Sequence, residues 1–385
     1  MWTTLLFTIT AAGFGAMTVV TLWHLRWVRR LPALDTLLRG SEPSSTPVRC
    51  SVVIAARDEE ARIEQTIRCL MEQRGVELEF IVVDDRSTDR TVEILPRLAQ
   101  EDSRLKVKRV DALPEGWLGK CHACHIGASM ATGEWILFTD ADCWLKSDVV
   151  ERALRVASRE KADHITLASG TAVKSSGLVA SHLLFLTVTA NWFSEVNRDT
   201  GKRFLGFGAF NLVRAEAYRQ CGGYEALRLT VLDDMKLGLL LQRAGKRTRG
   251  FIGGDDVEAH WGDNAFSIIK IMEKNYFATL EYRTWLVVFG TAAMFFFSAV
   301  VILGLFAGTT AGLTAALSPL TLIIPGVVIS KRLGWCQAGA LLIPLMFPIF
   351  FCALINSAFA ARRHGGIRWR DTFYPLDTLR TGNVR

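Results

Sequence analysis

Three charge-free stretches set the limits on what this chain can fold into. Residues 1–25, 284–330 and 333–361 contain no Asp, Glu, Lys or Arg. A bilayer crossing takes about 20 mostly apolar residues. The first stretch is therefore long enough for one crossing, the second for two and the third for one more. The region between them, residues 50–265, carries charge throughout and reads as a folded domain. A wholly soluble globule is excluded, and a domain held between membrane segments is expected. The basic residues Arg26, Arg29 and Arg30 follow the first apolar run and do not precede it. That order suits an uncleaved N-terminal transmembrane anchor over residues 1–28, with the chain beyond it on the cytoplasmic face of the cell (inner) membrane.

The formal charge is +7, from 45 basic and 38 acidic residues. Much of the excess flanks apolar stretches: Arg26, Arg29, Arg30, Lys331, Arg332, Arg362, Arg363, Arg368 and Arg370. Anionic lipid headgroups account for that placement. Nucleic acid is not expected as a partner, because its binders gather charge on a soluble face. Residues 362–385 read as a basic cytoplasmic tail, and residues 286–361 as the C-terminal transmembrane segments. Lys331-Arg332 and Arg362-Arg363 bracket the last apolar segment, so a single crossing leaves them on opposite sides. Pro344 and Pro348 are placed to break that segment into a hairpin. The eight Cys show no disulfide spacing, in keeping with a reducing compartment.

Residues 29–49 read as a linker with Pro32, Pro43, Ser44, Ser45 and Pro47. A β/α alternation then begins. Strands are expected at 50–56, 78–83, 105–110, 134–139 and 164–169. Helices are expected at 59–73, 88–98, 120–131 and 147–161. Such alternation predicts an α/β fold of Rossmann-like type, a mainly parallel central sheet with helices on both faces. Leu178–Phe193 is apolar and reads either as an interfacial helix or as a buried core helix. Phe204–Gly208 is a Gly-rich loop, and Leu232–Arg243 is a helix. Residues 266–285 read as an amphipathic interfacial helix leading into the membrane.

Ligands of parallel sheets bind beyond the carboxyl ends of the strands. Three acidic pairs fall at such positions or at a helix start. Asp140-Ala-Asp142 follows an apolar strand; alternate residues of an extended segment face the same way, so both carboxylates can serve one diphosphate and its Mg²⁺ or Mn²⁺ ion. A solvated turn is the plain alternative. Asp84-Asp85 follows another strand and suits a base imide and ribose hydroxyls, or a helix cap with Ser87 and Asp89. Asp233-Asp234 opens a helix, where the macrodipole stabilises an anion; the chemical reading is a general base for an acceptor hydroxyl. Lys120, after a loop and ahead of a helix, suits phosphate or ribose, or is an ordinary surface Lys. Together these point to sugar transfer from a nucleotide donor to a lipid. Cys121-His-Ala-Cys-His125 matches a haem-attachment spacing, but it begins a helix on the cytoplasmic side and lacks a second Cys/His pair. A helix with incidental thiols is expected there. His260-Trp261 and the 266–285 stretch are candidates for an acceptor entrance.

The ordered set of motifs resembles the family 2 glycosyltransferases with a GT-A fold. It comprises Ser51–Glu59 (SVVIAARDE), Ile81–Thr91 (IVVDDRSTDRT), Gly116–Lys120 (GWLGK), Phe138–Asp142 (FTDAD), Gly222–Ala226 (GGYEA) and Val231–Asp234 (VLDD). Within that family the layout is similar to ceramide glucosyltransferase-like enzymes and to hopanoid- or carotenoid-associated bacterial enzymes. The tail Gly366–Tyr374 (GIRWRDTFY) belongs to the likeness. The resemblance implies a GT-A domain over residues 50–265 and a nucleotide pocket lined by Ala55, Arg57 and Glu59, with Asp84 or Asp85 on the base. It implies Asp140 and Asp142 near ribose, diphosphate and metal, with Asp234, beside Asp233, as the base. A Gln/Arg-x-x-Arg-Trp motif, which many relatives carry after the base, is missing between Asp234 and Trp285. That favours transfer of one hexose over chain building. The alternatives are a polyprenyl-phosphate acceptor, or a silent nucleotide-sugar-binding membrane partner.

Overall fold

The computed structural model describes residues 1–38 and 48–384; residues 39–47, within the expected linker, lie outside the described residues. The chain divides into two compact units. One holds residues 28–172, 195–260 and 381–385, and the other residues 1–27, 173–194 and 261–380.

The first unit is built on β1 (Arg49–Ala56), β2 (Glu77–Asp85), β3 (Leu105–Val110), β4 (Trp135–Phe138), β5 (Cys143–Leu145), β6 (His164–Thr171), β7 (Asn211–Arg214) and β8 (Thr248–Ala259). They form one eight-stranded sheet in the order β3-β2-β1-β4-β7-β6-β8-β5. The first four strands are parallel, with Val53 beside Ile81 and Phe138. Val52, Val53 and Ile54 are wholly buried, as a strand covered on both faces requires. Each such side chain contributes about 1.5–3 kcal/mol. Helices Ile63–Met71, Thr91–Glu101, Gly119–Met130 and Val149–Glu160 connect these strands, close to the expected positions. The second half departs from the expected alternation. β7 runs antiparallel to β4 and β6, and β5 antiparallel to β8. β5 and β7 are three and four residues long, too short to leave a periodic signal.

The expected linker is partly incorporated into the sheet. Ile252 of β8 donates its N–H to Arg29 O (2.8 Å) and accepts from Leu31 N–H (3.2 Å). Val28, Leu31 and Leu37 are buried. The spacer composition of the whole stretch hid these few apolar anchors. Deleting residues 1–47 is therefore expected to lower the melting midpoint of the sheet domain by about 10–35 °C, from three lost apolar side chains at about 1.5–3 kcal/mol each and 2–4 °C per kcal/mol. Deleting residues 1–24 alone should leave that midpoint in place. Thermal circular dichroism of the two truncations in detergent checks this.

The second unit is mainly helical. Among the described residues five segments are long and apolar enough to cross a membrane: Trp2–Trp27, Ser176–Asn197, Thr284–Phe306, Thr310–Leu333 and Ile343–Arg363. The second of these holds the stretch Leu178–Phe193, most of whose apolar side chains are buried, with Val188 exposed. Phe289, Phe295, Phe296, Leu303 and Phe306 stand exposed on the third, an apolar exterior that water does not tolerate as one patch. Pro344 and Pro348 do not break the last helix. The first lies in its opening turn and the second inside it.

One further expectation is corrected. Residues 266–285 form two short helices, Ser267–Ile271 and Asn275–Thr279, in place of one. The Ser357 hydroxyl donates to Glu273 O and accepts from Phe277 N–H (2.9 Å). Those two backbone groups would otherwise bond each other as i and i+4 of a continuous helix. The basic tail is ordered through most of its length, with a hairpin of β9 (Gly366–Trp369) and β10 (Thr372–Pro375) followed by the helix Leu376–Gly382.

Candidate active site

Because β1, β2 and β4 run parallel, their carboxyl ends share one edge of the sheet, with Ala56 beside Asp84. The loop after β1 is clamped to the loop after β2. Asp58 N–H donates to Ser87 Oγ (3.0 Å), Glu59 N–H to Thr91 Oγ1 (2.9 Å) and Thr88 N–H to Asp58 Oδ1 (2.7 Å). Ala55 and Arg57 lie half-buried at this edge. Asp84 spends its carboxylate on structure, accepting from Ser87 N–H (3.0 Å) and Arg109 Nη1 (2.9 Å). Asp85 is held by Arg86 (2.8 and 3.0 Å), with Arg57 Nη1 at 3.9 Å.

The helix Gly119–Met130 starts against Asp85. A Cβ at Gly119 would meet the Asp85 carboxylate and Arg86, so any other residue here has to displace that carboxylate. The next residue, Lys120, places its ammonium 2.7 Å from Asp140 Oδ1 and 3.5 Å from Asp233 Oδ2. Burial alone would lower its pKa, but Asp140, Asp233 and Asp234 outweigh burial and raise it well above the usual range. Lys120 stays charged.

Asp140 and Asp142 approach each other through the turn between β4 and β5, and not along an extended strand as their spacing suggested. Carboxylate oxygens of both, with Cys143 Sγ, lie within 4.8 Å of one another. Burial, followed by the charges of Asp142 and Asp140, pushes the Cys143 thiol pKa well up, so it stays protonated. The remaining donors are hard oxygens, which suit Mg²⁺ or Mn²⁺. Burial and the charge of Asp140 raise the pKa of Asp142; a divalent cation between the two acids would relieve that repulsion. His260, just past β8, donates its N–H to Asp142 O (3.4 Å), and its ring stands 3.4 Å from Arg62 Nη2.

Asp233 and Asp234 open the helix Asp233–Arg243. Asp233 is buried and accepts from the Tyr224 hydroxyl (3.1 Å). Asp234 accepts from Gly208 N–H (2.8 Å) and Met235 N–H (2.7 Å). Burial, then the neighbouring charge of Asp233, pushes its pKa up to about 6; Lys120 opposes the rise and Asp140 adds to it.

The Gly-rich loop Phe204–Gly208 joins the acidic groups. Gly208 donates to the Asp234 side chain and accepts from Asp140 N–H (3.0 Å). A Cβ at Gly208 would meet the Asp140 carboxylate, and one at Gly206 the Asp234 carbonyl. Gly208→Ala is therefore expected to lower kcat at least about tenfold through a displaced acid, with donor binding less affected. Steady-state kinetics beside a calorimetric donor titration checks the split.

Behind Asp234 lies a buried polar chain. Asn211 Nδ2 donates to Asp234 O (3.2 Å), His164 Nε2 sits 2.8 Å from Asn211 Oδ1, and His164 Nδ1 sits 3.1 Å from Thr248 Oγ1. Burial lowers the His164 pKa to about 4, so the ring is a neutral brace. Sequence reasoning missed Gly208, Asn211, His164 and Tyr224 as parts of the site. The Gly-rich loop was the available signal for the first and the Gly222–Ala226 motif for the last; the other two looked like ordinary strand residues. Cys121 and Cys124 are buried on their helix, Cys121 donating to Thr230 O (3.5 Å). Trp117 packs against His122 and His125. Among the described residues no metal-ligand cluster forms there.

Residues 51–222 match the family described as Glycosyl transferase family 2. A 4,4'-diaponeurosporenoate glycosyltransferase of Staphylococcus haemolyticus is 29% identical over 50% of this chain and 51% of its own length. A beta-monoglucosyldiacylglycerol synthase of Nostoc sp. is 30% identical over 49% of this chain and 40% of its own length. The chain thus spans about half the length, or less, of these curated relatives. The solved mannosyltransferase PcManGT of Pyrobaculum calidifontis, in complex with GDP-Man and Mn²⁺, superposes with a TM-score of 0.53 at 16% identity, over 93% of this chain and 99% of that one. That likeness is one of fold, and the sheet domain described above is of the GT-A type.

Proposed function

We propose, from the match of residues 51–222 to the family described as Glycosyl transferase family 2, that the protein is such a transferase and moves one hexose from a UDP-linked sugar to a membrane lipid, inverting the anomeric carbon. The observation that carries this reading is the link through Gly208 and Lys120. Asp140 and Asp234, one on the strand-end side and one at a helix start, are joined through a single residue, and Lys120 reaches Asp140 and Asp233.

The acceptor hydroxyl attacks the anomeric carbon as the bond to the diphosphate breaks. Asp234 takes the hydroxyl proton; its raised pKa makes it a stronger base than an exposed carboxylate. Asp233, held by Tyr224 and Lys120, fixes the start of that helix. Ala55, Arg57, Glu59 and Asp85 take the nucleoside end, with Asp84 holding their loop. Lys120 faces the phosphates. Asp140 and Asp142 would hold the Mg²⁺ or Mn²⁺ ion, which when bound neutralises the diphosphate leaving group. The names of the two curated relatives join a glycosyl group to a diaponeurosporenoate and to a diacylglycerol, which supports a lipid acceptor here. The apolar helices support a multi-pass protein of the inner membrane, and the basic residues after the first of them support a cytoplasmic catalytic domain.

The base acts only as the carboxylate. At saturating donor, kcat is therefore expected to rise about tenfold per pH unit below pH 6 and to level off above it. A profile flat from pH 5 to 7 would remove Asp234 from this role. The function itself is tested by incubating membranes with labelled UDP-sugars and weighing the lipid extract by mass spectrometry. One added hexose on a lipid is the expected product. Donor hydrolysis without lipid labelling would refute the assignment.

A further inference from the structure

The hairpin of β9 and β10 has two unlike faces. Ile367 and Tyr374 are cross-strand partners and both are buried. Arg368 and Phe373 are also cross-strand partners, and both are exposed. Arg370 stands exposed at the turn, in a left-handed conformation (φ 53°). Immediately before the hairpin, the apolar helix Ile343–Arg363 ends in exposed Arg362 and Arg363. On the other face, that of Ile367, the Lys274 ammonium lies 3.4 Å from the centre of the Trp369 ring, within cation–π range. Four arginines face a single acid, Asp371, between residues 362 and 375. A cationic face with one exposed ring, at the end of a helix of spanning length, matches a layer of phosphodiesters above hydrocarbon.

We propose that this hairpin face binds the headgroups of anionic phospholipids, independently of the sugar acceptor. The cations pair with the headgroup phosphate and Phe373 enters the interface beneath it. Cytoplasmic leaflets carry excess negative charge, and each arginine near the surface adds to the attraction.

The full chain, purified in a neutral detergent, would be given equimolar phosphatidylglycerol and phosphatidylcholine, and the retained lipid quantified by mass spectrometry. Wild type is expected to retain phosphatidylglycerol about thirtyfold over phosphatidylcholine, from two arginines at the membrane surface at about 1 kcal/mol each. Arg368→Gln with Arg370→Gln should remove most of that preference. Arg368→Lys with Arg370→Lys should keep it, which separates charge from loss of fold; UDP binding in both variants confirms a folded catalytic domain. The proposal is overturned if the glutamine variant keeps the preference or the lysine variant loses it. It is also overturned if inorganic phosphate at equal concentration displaces the lipid, since the site would then be a plain anion site. None of these readouts depends on sugar transfer.

Discussion

Asp234→Asn is expected to lower kcat by about 10²–10⁴-fold, the range for removal of a general base, while donor affinity changes little. The side chain accepts from two backbone N–H groups, those of Gly208 and Met235. The amide keeps one acceptor oxygen, so the loop and helix start stay near their places. What disappears is the ability to take a proton. The acceptor's chemistry decides the size of the effect. A hydroxyl must shed its proton as it attacks, whereas a phosphate acceptor is already an anion and needs no base. Single-turnover kinetics of the variant, with donor binding measured by calorimetry, separates the two. A loss smaller than about tenfold would assign the acceptor to the phosphate class and leave Asp234 a structural acid.

Asp142→Asn is expected to cost at least about a hundredfold in kcat/KM, comparable to loss of a strong electrostatic stabiliser of the leaving group. It should also weaken Mn²⁺ binding in the presence of UDP, read directly by titration calorimetry. The argument rests on charge. Asp140 is paired with Lys120 at 2.7 Å, whereas burial and Asp140 push the Asp142 carboxyl up towards its neutral form. A divalent ion favours the ionised form and is itself retained by it. Chelation with EDTA should reproduce the variant's loss in the wild-type protein, and added Mn²⁺ or Mg²⁺ should restore only the wild type. Undiminished Mn²⁺ affinity in the variant would place the ion elsewhere.

The first half of the sheet was legible because long apolar runs, Gly/Pro breaks and acids at strand ends each follow from a local rule. β1, β2 and β4 are buried on both faces, and their sequences say so directly. The antiparallel half was not legible. β7 has four residues and β5 three, and their pairing is decided by tertiary partners. The same holds within the site. Asp140, Asp142, Asp233 and Asp234 stand out as paired acids, but the role of Asn211 depends on His164, which lies far from it in sequence and against it in space. The two short helices after Phe266 also escaped a periodicity reading, because the serine that interrupts them comes from a helix some eighty residues later.

Gly208 acts as a gauge block between two jaws. Its N–H holds the Asp234 carboxylate and its C=O the Asp140 backbone N–H, so one residue ties the strand-end segment to the helix start. Substitutions elsewhere around the acidic cluster would leave that tie untouched. Re-engineering for a reaction that needs a wider gap therefore calls for an inserted residue in the loop Phe204–Gly208.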